Sequence, residues 1–170
     1  MNMSTEFRPH NTAFMIVGTL LLWVCWLFFN AGSVEEVEED LNRKIGRIMM
    51  CNIIGPACSG LFAVLFKTRI TGEYNRLNKY DIGTFCNGII VGLVAVTASC
   101  DDIKPYFAPF ISLIAAVMYS FGVKLMRHLH IDDPVEATPL HMSGAIVGTL
   151  AVALFDKNVG LITGHSAGWK

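Results

Sequence analysis

Charged residues cluster along the chain, and between the clusters lie five windows without any Asp, Glu, Lys or Arg: Asn11–Val34, Ile48–Phe66, Ile82–Cys100, Pro105–Val123 and Ala137–Phe155. The last four are 19 residues each. As helix, 19 residues rise roughly 28 Å, close to the bilayer's hydrocarbon thickness of about 30 Å. A water-soluble helical domain shows shorter, amphipathic runs with charges along one face. The pattern therefore predicts an all-α polytopic membrane protein with five transmembrane helices in the lipid bilayer. The first window exceeds a signal-peptide core and is followed by further windows, so it is read as a retained span.

The residues between the windows predict where helices begin. Asn11 or Thr12 can cap the first and Asp81 the third. Asp133-Pro134-Val135-Glu136 reads as a helix start, with Asp133 as cap, Pro134 at the first position and Glu136 at the third. Val34–Arg47, with Glu35, Glu36, Glu38, Glu39 and Asp40, reads as a solvated acidic loop, and Lys67–Asp81 as a polar loop. Asp101, Asp102 and Lys104 make a short polar turn before Pro105. This divides the chain into a short segment 1–12, a membrane domain 13–155 and a polar tail 156–170. Gly88-x-x-x-Gly92 and Gly144-x-x-x-Gly148 predict close helix packing.

Composition agrees with this class: 53% of the 170 residues are hydrophobic and only 16% charged, against about a quarter charged in a soluble domain. Net charge is −1, so no basic field points to nucleic acid as a partner. The five cysteines form no C-x-x-C pair and lie in the charge-free windows, where they read as small buried hydrophobes. No metal or other cofactor motif is present, and no nucleophile–base or carboxylate pair at span spacing suggests an enzyme. Lys and Arg divide seven to six between the two sides, which leaves the orientation open.

Polar groups inside spans carry the candidate chemistry, because hydrocarbon penalises them. Trp26, Phe29 and Ser33 share one helix face by their i, i+3, i+7 spacing. Ring faces and a hydroxyl can hold a small cation at a membrane surface, although aromatic-belt residues with a helix-end serine have the same pattern. His141, the one histidine within a window, falls roughly 10 Å beyond Pro134 along a helix. Its imidazole can pass a polar solute or proton, or bond between helices. Asn87 and Thr97 read as interhelical hydrogen-bonding residues.

His10-Asn11, Gly18-Thr19 and Trp26-Leu27-Phe28-Phe29-Asn30-Ala31-Gly32-Ser33 resemble the sixth helix of the ammonium transporter family (Amt/Mep, related to Rh proteins). Cys86-Asn87-Gly88 with Gly92 to Cys100 resembles the eighth helix. Ile131-Asp132-Asp133-Pro134, Leu140-His141 and Gly148-Thr149 resemble the start of the tenth. The resemblance implies a homotrimer in the plasma membrane that moves ammonium or ammonia through a pore in each subunit, with the amino terminus cytoplasmic. It implies that Phe29 gates the pore, Ser33 helps recruit ammonium outside, Trp26 lines the path and His141 is the second of two pore histidines. Glu136 would be an acidic position at the start of the helix carrying His141.

This chain departs from the family pattern at Met142, where a small residue is usual, and at Leu27-Phe28 beside the gate. Because the resemblance starts at the sixth helix, the first of two inverted repeats and the eleventh helix are expected outside this chain, which reads as a fragment or half of a split transporter. A pore formed between two repeats is then incomplete from this chain alone and requires a first-repeat partner. The alternative is a non-transporting membrane protein that associates with full-length subunits.

Overall fold

A computed structural model describes residues 11–34, 41–72, 81–158 and 160–162. They form α1 (Thr12–Gly32), α2 (Leu41–Thr71), α3 (Ile82–Thr97), α4 (Ala108–His128) and α5 (Ala137–Phe155), with a short 3-10 turn at Pro105–Phe107 leading into α4. Among the described residues there is no strand. The all-α membrane fold is as expected, but four of the five expected spans, α1, α2, α4 with its 3-10 turn, and α5, are long and apolar enough to cross a bilayer, while α3 is a shorter apolar helix.

The start signals act locally. The Asn11 side chain accepts hydrogen bonds from the Ala13 and Phe14 amides at 2.9 and 3.4 Å. Asp81 accepts from the Thr84 amide at 2.7 Å and the Thr84 hydroxyl at 2.8 Å. Both satisfy amides that a helix start leaves unpaired.

Three boundaries differ from expectation. First, α2 extends well past its charge-free window at both ends, so Leu41–Arg47 is helix rather than loop. Its 31 residues rise about 46 Å, more than the roughly 30 Å of a bilayer's hydrocarbon, and Arg43, Lys44, Arg47, Lys67 and Arg69 lie towards its two ends. The acidic residues at 35–40 lie outside the described residues. Second, α3 has 16 residues rather than 19, because Ala98 to Cys100 tighten into turns, with the Ser99 amide on the Val96 carbonyl at 3.2 Å. Third, α5 begins at Ala137, three residues after Pro134. Asp133 still caps it, by accepting from the Ala137 and Thr138 amides at 3.0 and 2.7 Å. Pro134 and Glu136 are nevertheless outside the helix, and Glu136 is left-handed at φ 56°.

α2 packs most extensively on α3 and α4, and α5 closes the bundle against α3 and α4. Small residues allow this. A Cβ on Gly88 would lie 2.6 Å from Ala63 Cβ and 2.8 Å from Gly60 Cα, and one on Gly148 would lie 2.8 Å from the Ala95 carbonyl oxygen. Both G-x-x-x-G pairs thus lie at helix–helix contacts, α3 on α2 and α5 on α3. By contrast, α1 lies on the edge and buries only Thr19 and Asn30, leaving Phe14, Val17, Leu21, Val24 and Phe28 exposed in a pattern suited to lipid.

Candidate functional site

Each end of the bundle holds a polar network. At the end where α2 and α4 finish and α3 and α5 start, Glu136 is the hub. Its Oε2 accepts from Lys67 Nζ at 2.7 Å, from Asn87 Nδ2 at 3.2 Å and from the Tyr119 hydroxyl. Arg127 Nη2 lies 3.5 Å from Oε1. Lys67 also sits 5.6 Å from the Tyr119 ring centroid, within range of a cation–π contact. Burial by itself pushes the Glu136 carboxyl up. The Lys67 charge and the hydrogen bonds from Lys67, Tyr119 and Asn87 outweigh it, so the group lies below the usual carboxylate range. A cavity of about 390 Å³ opens beside Glu136, lined in part by Arg127, His130, Asp132 and Asp133.

At the other end, α1 is fastened to α2 and α3. Trp23 Nε1 donates to the Asn52 carbonyl at 2.7 Å, and Asn30 Nδ2 donates to Asn52 Oδ1 at 2.7 Å. Thr97 Oγ1 accepts from Trp26 Nε1 at 2.8 Å and Asn30 Nδ2 at 3.3 Å, and donates to the Leu93 carbonyl at 2.7 Å. A hydroxyl has one donor and two lone pairs, and all three are used. Beyond Thr97, Lys157 pairs with Asp102 at 2.9 Å, tying the end of α5 to the turn after α3.

The residues singled out from the sequence fall into two places. Trp26 and Phe29 are in edge-on ring contact, with centroids 6.4 Å apart. Ser33 is exposed, and its hydroxyl donates to the Phe29 carbonyl at 2.7 Å, which leaves its lone pairs free to accept. Trp26 turns its N–H inward to Thr97, whereas Phe29 is 63% exposed. His141 stands on α5, four residues after its start, or about 6 Å along the axis rather than 10 Å. It is exposed, on a face shared with Met142, Ala145, Ile146 and Thr149, and its side chain forms no hydrogen bond among the described residues. Asn87 and Thr97 both bond between helices as expected.

Sequence reasoning missed Asn52 and the inward role of Glu136. Lys67 and Glu136 are 69 residues apart, so no periodicity joins them. The available signal was a basic residue just past one charge-free window and an acidic one just before another.

Together, the fold and these buried polar contacts define a polytopic helical membrane protein with ionisable and aromatic groups on its exposed helix faces. Residues 1–169 match the model of the Ammonium Transporter Family, and the chain belongs to that family. It is 32% identical over 158 residues to the ammonium transporter Amt2 of Archaeoglobus fulgidus, which covers 92% of this chain and 32% of the relative. It is 31% identical to the ammonium transporter MEP3 of Saccharomyces cerevisiae, covering 99% of this chain and 33% of the relative. Among solved structures, one described as a Sensor Amt Protein superposes with a TM-score of 0.73 at 32% identity, covering 86% of this chain and 34% of the other. Saccharomyces cerevisiae Mep2 also gives 0.73, at 26% identity, covering 87% of this chain and 32% of the other. The chain spans about a third of the length of the curated relatives it matches.

Proposed function

We propose that this chain takes part in moving ammonium or ammonia across a membrane by supplying one wall of a pore, formed with a partner that provides the first repeat. In this reading it corresponds to helices six to ten of the family. Phe29 and Trp26 border the path, Ser33 offers its lone pairs to an ammonium ion at the outer end, and His141 lies within the pore. The assembly is a homotrimer, or a complex with the first-repeat partner, in the plasma membrane, with the amino terminus cytoplasmic.

The observation that carries this reading is the exposure of His141 on a largely apolar face of a helix long and apolar enough to cross a membrane. A bare imidazole facing lipid is costly, so such a group faces protein or a water-bearing path. Phe29 is likewise uncovered. An ammonium ion is costly in lipid and must exchange water for aromatic faces and hydroxyl oxygens. A histidine then provides donor and acceptor contacts and a titratable relay.

The test is co-expression of the chain with a first repeat from a related transporter. Losing one polar partner from a buried path costs about 1–3 kcal/mol, and about 1.4 kcal/mol of barrier slows passage tenfold. His141→Ala should therefore reduce ammonium flux about tenfold or change its ion selectivity, with assembly yield unchanged. The control, His165→Ala in the tail, should leave flux as it was. Intact flux with collapsed assembly in His141→Ala would overturn the pore reading in favour of a non-transporting interaction protein.

A further inference from the structure

The start of α5 lies where local sequence signals do not put it. Asp133-Pro134 is a strong start signal, yet the helix begins three residues on, at Ala137. The intervening Glu136 adopts a left-handed backbone conformation, which costs a non-glycine residue of order 1 kcal/mol and persists only when its surroundings over-determine it. The surroundings are Lys67 from α2, Asn87 from α3, and Tyr119 and Arg127 from α4, all on one carboxylate. Three helices thus converge on the residue that starts a fourth. Directly after it, Pro139 packs on Gly122, where an added Cβ would lie 2.9 Å from Pro139 Cβ. Next to Pro139 and Leu140, both buried, comes exposed His141.

We propose that Glu136 is a positioning residue: its bond to Lys67, backed by Tyr119 and Asn87, fixes the axial register and rotation of α5 and thereby the direction in which His141 faces. In lipid, helix association rests on close packing and interhelical hydrogen bonds rather than apolar burial, so a charged hydrogen bond at the helix end acts together with the Gly144 and Gly148 contacts on α3. A slip of one residue turns a helix face by about 100° and would carry His141 off its present face. The proposal rests on the pore reading for its consequence in transport, but not for its geometry.

The test uses the purified full chain in lipid nanodiscs with labelled histidine, the His141 ring signal being assigned by its loss in His141→Gln. Glu136→Gln and Lys67→Met are compared well below their melting temperatures. Register control predicts loss of the His141 signal from its wild-type position in both variants, displaced in the same direction, and its return in Lys67→Arg. A change in local charge alone would displace the signal in opposite directions in the two variants, and that result overturns the proposal. So does an unmoved signal in variants that merely melt earlier. If either variant does not fold, Glu136→Asp, whose carboxylate is one methylene short of Lys67, must displace the signal in its place, and no displacement overturns the proposal. Ammonium flux through the co-expressed wild-type pore and its His141→Ala variant is read separately, so failure of the pore reading is distinguishable from failure of register control.

Discussion

Thr97→Val tests how α1 is held. The substitution keeps the side-chain shape and removes the one oxygen that accepts from both Trp26 and Asn30. Interhelical hydrogen bonds in membranes average about 0.6 kcal/mol and reach about 1.7. Two such bonds, with an indole N–H left without an acceptor, amount to about 1–2 kcal/mol. That raises the fraction of molecules with α1 undocked by about 5- to 30-fold. Other packing on α1 is light, since only Thr19 and Asn30 are buried on it, and the bonds of Trp23 and Asn30 to Asn52 remain. Two of the chain's three tryptophans, Trp23 and Trp26, lie on α1, so Trp169→Phe leaves an emission signal that reports α1 alone. In that background Thr97→Val should increase acrylamide quenching and lower the melting midpoint, while Thr97→Ser keeps both near the parent. An unchanged midpoint and quenching in Thr97→Val would refute the view that polar bonds hold α1.

Further outcomes follow from other contacts. Gly88→Leu should separate α3 from α2 and prevent folding, while Gly88→Ala should cost about 1–3 kcal/mol in denaturant titration, since even one Cβ meets Ala63 and Gly60 below 3 Å. Glu136 has a folded pKa below its unfolded value of about 4.3, so its contribution is full above that value and disappears as pH falls through the lower folded value. The melting-temperature advantage of the wild type over Glu136→Gln should therefore be steady at neutral pH and vanish in acid. Tags inserted at residues 35–40 and 73–80 should be labelled in intact cells at the first site only, if the amino terminus is cytoplasmic. On the proposal that the pore needs a first-repeat partner, the chain expressed by itself in transporter-deficient cells should not rescue growth on limiting ammonium, and rescue would count against it.

Much of the fold was legible because hydrocarbon leaves few options: long charge-free windows become helices, and all five did. Their boundaries were less legible. The first charge marks the edge of an apolar window, not the end of a helix, so Leu41–Arg47 and Lys67–Thr71 continue α2 past its window. At the far end of α3 the opposite holds: Ala98, Ser99 and Cys100 are uncharged yet turn. Of the candidate site, helical spacing accounts for the Trp26–Phe29 ring contact and the Ser33 bond to the Phe29 carbonyl, but not for Trp26 turning inward while Phe29 stays exposed. The partners of Trp26 and Glu136 depend on which helices lie side by side, which spacing does not encode.

The two polar networks share a structural task. The central contacts, α2 with α3 and α5 with α3, are close approaches of small residues, which set the distance between helices. The helices carrying Phe29 and His141 need their facing defined as well. Each has a directional fastening: Asn30, next to Phe29, on Asn52 and Thr97, and Glu136, just before α5, on Lys67, Asn87 and Tyr119. Hydrogen bonds depend on angle as well as distance, so they add to the glycine contacts in resisting rotation. The outward-facing residues of the proposed pore wall are thus each a few positions from an inward-facing polar anchor. Loosening an anchor should alter what the exposed residue meets before it alters whether the bundle folds.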